Sequence, residues 1–139
     1  MNVKEYLSQA FTLNGLMNAK KSRTQQLRHM RESVAGGLQT HTKVQTTLKT
    51  DTMAELTAKI LDAEDECNKD IARLVSVQCE IETTIELVAQ PSYRLILYER
   101  YVNLKTWEEI AENNHYSLKW VHVLHKRGLD AVEQIFHKN

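Results

Sequence analysis

Residues 106–133 read TWEEIAENNHYSLKWVHVLHKRGLDAVE, and their chemistry predicts two short helices joined by a tight turn. Thr106 and Glu109 form a capping box. The Thr106 hydroxyl accepts the backbone N–H of Glu109, and the Glu109 carboxylate returns to the N–H of Thr106, satisfying two donors that a first helical turn leaves without partners. A helix therefore begins at Trp107, with Ile110 and Ala111 facing inward, and Ala111 is small where a second helix must cross. Asn113-Asn114-His115 makes the turn. Ser117 is a good N-cap for the next helix, and Tyr116 with Val121 fits the hydrophobic staple that fixes the angle of chain entry. That second helix is expected to bury Val121, Leu124, Gly128 and Val132. It turns Leu118, Lys119, His122, Val123 and Lys126 outward. Two helices so joined are the helix-turn-helix arrangement, in which the second helix lies in the major groove with its N-terminal turns at the base edges. The DNA-contacting residues expected on this basis are Ser117, Leu118, Lys119, His122, Val123, Lys126 and Arg127.

Upstream, SYRLILYERYVNLK supplies Leu95, Leu97, Tyr98 and Tyr101 as the apolar face of a short helix. Pro91 has no N–H to donate and clashes with a preceding helical turn, so it is expected to end whatever helix comes before it and to mark a domain boundary. Residues 91–139 are thus read as a helix-turn-helix domain and residues 1–90 as a separate helical hairpin. In the hairpin, Tyr6, Ala10, Leu13, Met17, Leu27 and Val34 recur at helical spacing over about residues 3–35, with the polar stretch Lys20–Gln26 as an interruption. Gly36-Gly37 stops this helix, and the Thr-rich residues 36–50 read as a polar loop. A long helix over 51–90 follows, capped by Asp51 or Thr52. Its apolar positions Met53, Leu56, Ile60, Ala63, Cys67, Ile71, Leu74, Gln78, Ile81, Ile85 and Val88 step by three and four residues, a heptad seam with one slip near Cys67. A helix of about 38 residues would be roughly 57 Å long at about 1.5 Å per residue, too long for a small globule to support alone, so it wants a partner helix.

The charge distribution names that partner. The chain of 139 residues has 18 Lys and Arg against 18 Asp and Glu, yet residues 1–50 carry eight cations against two anions, residues 51–90 three against ten, and residues 91–139 seven against six. An antiparallel pairing would set Lys20, Lys21, Arg23, Arg28 and Arg31 near Asp62, Glu64, Asp65, Glu66 and Asp70. Exposed pairs contribute only about 0–1 kcal/mol each, so charge selects partner and direction while apolar burial stabilises. Whether the hairpin closes in one chain or exchanges between two stays open at this level, because the loop length permits both. The expected fold class is all-α.

The composition excludes other classes. One Pro and four Gly argue against a turn-rich β architecture. The apolar runs fall far short of the roughly 20 residues that cross a bilayer, and MNVKEYLSQAFTL carries Glu5 where a secretory signal would be apolar, so no membrane association and a cytoplasmic location are expected. Cys67 and Cys79 fit neither a CxxC motif nor a disulfide framework and are read as reduced. His122 and His125 have a metal-compatible spacing, but zinc wants four ligands and neither cysteine is close in sequence, so no metal or other cofactor is expected. The carboxylate pairs Glu108/Glu109 and Asp65/Glu66 lack a nucleophile, a His partner or a phosphate loop, so no enzyme is expected either. The bland readings are a solvated helix face for Lys119, His122, Lys126 and Arg127, core or flank for Trp107 and Trp120, and for Gln78 either a polar residue that sets the register or one facing solvent.

The stretch YRLILYERYVNLKTWEEIAENNHYSLKWVHVLHKRGLDAV, residues 93–132, resembles region 4 of bacterial sigma factors at Arg100, Thr106, Glu109, Ile110, Ala111, Ser117, Val121 and Leu129. This similarity covers roughly the last third of the chain. The whole chain resembles small phage and prophage proteins of Firmicutes related to late-transcription and autolysin regulators of the RinA and ArpU type. Two positions depart from the pattern: His115 stands where such turns often hold Gly, and Leu118 where the recognition helix often begins with Arg or Glu. The resemblance implies a phage-encoded transcription regulator of late or packaging genes, acting as a homodimer in the host bacterial cytoplasm, with double-stranded DNA and host RNA polymerase as partners. The alternatives are a protein-interaction module that modulates a host protein without reading DNA, and a DNA-packaging recognition subunit like the small terminases.

Overall fold

The computed structural model describes residues 2–37 and 43–138, with the backbone alone for 37 and 43–49. Among them are five helices and no strand: α1 Val3–Gly37, α2 Lys43–Glu86, α3 Pro91–Tyr101, α4 Trp107–Asn113 and α5 Leu118–Lys138. The helix bounds correct two expectations. The polar loop expected over 36–50 is helical at Gly36-Gly37 and again from Lys43, and its middle, 38–42, lies outside the described residues. Thr and Lys cost only a few tenths of a kcal/mol per helical position, so a long helix already nucleated downstream propagates through them. The long helix also stops at Glu86, short of Pro91. Its end tightens through Leu87 N–H to Thr84 O (3.1 Å) and Val88 N–H to Ile85 O (3.0 Å). Pro91 opens α3, where its missing N–H would have had no helical partner, and Gln90 before it is extended.

The chain packs as two compact units, one of residues 15–72 and one of residues 1–14 together with 73–139. This division differs from the boundary expected at Pro91, because the start of α1 and the end of α2 belong with α3–α5.

In the unit of residues 15–72, Leu27 of α1 clusters with Leu56 and Ile60 of α2, flanked by Val34 and Ala63. Lys20 Nζ lies 2.8 Å from Asp70 Oδ2 and 3.3 Å from Glu66 Oε2, and Arg28 pairs with Glu64. Partners thus run in opposite order along the two helices, and basic α1 meets acidic α2. The seam itself is more polar than its sequence suggests. Asp70 is buried at 2 % exposure, whereas Ile71, expected on the seam, is 38 % exposed. The steps Leu56, Ile60, Ala63, Cys67, Asp70, Leu74 alternate four and three, so Asp70 keeps the phase and the slip expected near Cys67 is absent. The hydrogen bond to Asp70 raises the pKa of the Lys20 ammonium. Nor does Lys20–Gln26 interrupt α1: Thr24 is buried, and its hydroxyl donates to Lys20 O at 3.0 Å. The back-bond satisfies the hydroxyl locally, so Thr occupies an apolar position at little cost.

The other unit has a core of Ile96, Ile110, Ala111, Val121 and Leu124, against which Tyr93, Trp107 and Tyr116 pack. On α3 the buried residues are Ile96, Leu97 and Tyr101, while Leu95, expected inside, is 37 % exposed. Gly128 of α5 allows the close crossing with α3: a Cβ there would stand 3.1 Å from Leu97 Cγ. Gln78 has a role that neither sequence reading assigned, since its Nε2 donates to Val102 O at 3.1 Å and satisfies a carbonyl just past the end of α3. Tyr6 of α1 hydrogen-bonds Thr84 of α2 (3.3 Å) and meets Phe136 edge-on at 5.3 Å.

Candidate nucleic-acid interface

The capping box is present at the start of α4. Glu109 N–H donates to Thr106 Oγ1 at 3.2 Å, and Thr106 N–H donates to Glu109 Oε1 at 3.3 Å. At the other end, Tyr116 N–H donates to Ala111 O (2.9 Å), and His115 N–H donates to Glu112 O (3.3 Å) with His115 at φ 57°. Those are the two crossed bonds of a Schellman ending, with His in the left-handed position that usually belongs to Gly. Tyr116 packs on the cluster containing Val121, as a staple does. Ser117 Oγ accepts the N–H of Trp120 at 3.1 Å, so α5 starts where its N-cap dictates. Local hydrogen bonds and the Tyr116 contact therefore fix both ends of the turn.

Helix α5 buries Val121, Leu124, His125, Gly128 and Val132. Of the expected contact residues, Ser117, Leu118, Lys119, His122, Lys126 and Arg127 are exposed and Val123 is half-buried. Lys119, His122, Val123 and Lys126 share one outward face of its first turns by their spacing. Neither Lys119 nor Lys126 makes an ion pair among the described residues. Arg127 lies to one side, its Cζ 5.5 Å from the Trp120 ring centre, and Trp120 is 41 % exposed. The acidic residues of α5, Asp130 and Glu133, come only after this cationic stretch.

Beneath that face lies an aromatic layer that sequence reasoning missed. Trp107 contacts the rings of His122 (centroids 5.0 Å) and His125 (4.5 Å). The Arg100 guanidinium sits between Trp107 and Phe11, 4.2 Å and 4.4 Å from the ring centres, and donates to Lys105 O at 2.9 Å. Burial lowers the Arg100 pKa from its usual value. Tyr101 Oη and His125 Nε2 share a buried 2.6 Å hydrogen bond. Desolvation pushes the Tyr101 phenol up to about 12 and the His125 imidazole down to about 4, the latter with help from the charges of Lys4, Arg100 and His122. His125 is thus a neutral core residue. Its only sequence signal was phase, because it falls between Val121 and Val132 on the buried side.

Compared with protein-family models, curated proteins and solved structures, the chain matches none.

Proposed function

We propose that the protein is a DNA-binding transcription regulator in which α4, the His115 turn and α5 act as a helix-turn-helix. In this reading α3–α5 form a domain like sigma region 4, and α1 with α2 forms a long antiparallel coiled-coil hairpin. The observation that carries the reading is the outward face of α5, where Lys119, His122 and Lys126 stand exposed on a helix whose opposite side is fully packed. Lysines without carboxylate partners at the N-terminal turns of a second helix suit phosphate and base-edge contact. Leu118, 42 % exposed at the start of the helix, suits apolar contact with a thymine methyl better than polar readout of guanine. The sequence resemblance extends the reading to a phage regulator of late or packaging genes, working as a homodimer in the host cytoplasm and contacting host RNA polymerase.

The test is gel shift against fragments of the phage genome that encodes the protein, with wild type and a Lys119→Ala/Lys126→Ala double variant. Wild type is expected to bind in a salt-sensitive way, and the double variant to lose about two units of the log–log salt slope. Absence of salt-sensitive binding by the wild type would remove the DNA role. A second reading, a module that binds a host protein, is favoured by one feature: Leu118 and Trp120 together expose apolar surface at the start of α5. Capture of a host protein by a wild-type chain that binds no duplex, unaffected by the two lysine substitutions, is its signature.

A further inference from the structure

Residues 91–139 carry seven cations against six anions, too even a balance for strong attraction to a polyanion through that segment alone. The unit that contains α5 has a second place suited to phosphate, and it draws on α1. A cavity there is lined by Lys4, Ser8, Phe11 and Thr12 of α1, by Arg100 and Tyr101 of α3 and by Trp107 of α4. Its cationic floor is unusual. The Arg100 guanidinium is half-buried, its Cζ lies 4.4 Å and 4.2 Å from the ring centres of Phe11 and Trp107, and it donates to the Lys105 carbonyl, a neutral acceptor. A guanidinium has five N–H donors, so its edge retains capacity for an oxyanion.

The surrounding charges point the same way. No described carboxylate makes an ion pair with Arg100 or with exposed Lys4. Glu108 acts on Arg100 without pairing with it. Asp130 and Glu133 line a separate groove that Lys4 also borders, where Glu133 Oε1 lies 3.8 Å from His137 Nε2. The hydroxyls of Ser8 and Thr12 add neutral donors to the cavity wall. Finally, one indole links this cavity to the outward face of α5, since Trp107 touches both Arg100 (4.2 Å) and His122 (5.0 Å).

We propose that this cavity is a phosphate-backbone site, in which Lys4 and Arg100, with the Ser8 and Thr12 hydroxyls, hold a DNA phosphate beside the groove that α5 enters. The inference rests on the DNA-binding reading above and adds to it that the first turns of α1 belong to the DNA surface. Such a contact positions the helix without reading sequence, so its loss weakens binding equally on all duplexes.

The test is fluorescence anisotropy of the full chain on one duplex over a series of salt concentrations. The variants are Lys4→Ala, Lys4→Arg, Thr12→Glu, Lys119→Ala in the α5 face and the charge-matched control Lys59→Ala, each checked for an unchanged circular dichroism spectrum and melting temperature. The expected result is a slope reduced by about one unit in Lys4→Ala, restored in Lys4→Arg and untouched in Lys59→Ala, with Thr12→Glu also weakened. Wild-type slopes in both Lys4→Ala and Thr12→Glu, alongside a reduced slope in Lys119→Ala, would overturn the α1 site and leave the α5 reading standing. A wild-type protein that binds no duplex would overturn both.

Discussion

Acid should destabilise the unit containing α3–α5 through a single side chain, His125. Its ring is 8 % exposed and hydrogen-bonded to Tyr101, and its pKa is held at about 4 against 6.5 for an unburied imidazole. Between those values the unfolded chain binds the proton and the folded chain does not, so stability falls as pH drops through that window and is level above it. One pKa unit corresponds to about 1.4 kcal/mol, and going from about pH 7 to about pH 4.5 this residue alone should cost about 2 kcal/mol. That is a large part of the roughly 5–15 kcal/mol that holds a domain together. The assay is urea unfolding followed by tryptophan fluorescence, at both pH values, on wild type and His125→Gln. Glutamine keeps a hydrogen-bonding partner for Tyr101 but does not titrate, and carboxylates titrating in the same window cancel in the difference. The wild type should lose about 2 kcal/mol more than the variant on acidification. Equal losses in the two proteins would refute the buried neutral imidazole.

Three further outcomes follow from local geometry. His115→Gly should stabilise by about 0.5–1 kcal/mol, read as a higher melting temperature, because relief of the left-handed strain at φ 57° exceeds the added chain entropy of glycine. Gly128→Leu should cost about 3 kcal/mol or more in urea unfolding, since even the first added carbon meets buried Leu97 at 3.1 Å. Lys20→Met should lower the melting temperature more than Lys21→Met does, because the former strips the ammonium from Asp70, a carboxylate at 2 % exposure.

Much of the α4–α5 region is legible in its sequence because its determinants lie within a few residues of one another. Thr106 with Glu109, Ser117 with Trp120, and Tyr116 with its neighbouring core each declare themselves over one helical turn. Even the left-handed His115 follows from the length of the turn. What the sequence hid was long-range pairing. Asp70 lies on the seam and Ile71 off it because Lys20, far away in the chain, supplies a counter-charge at 2.8 Å. Hydrophobicity arithmetic along one helix favours the isoleucine and cannot register that partner. The stacking of Arg100 between Phe11 and Trp107 was hidden for the same reason, as was the contribution of α1 to the unit that holds α5. The extension of α2 back to Lys43 was missed because threonine-rich sequence looks like loop, while helix propagation tolerates it.

Amide chemical-shift mapping during titration with a duplex from the encoding genome asks whether the outward face of α5 meets DNA. The largest shifts are expected at residues 117–127, centred on Lys119, His122 and Lys126. Shifts confined to α2, or none at duplex concentrations well above the protein's, would contradict it.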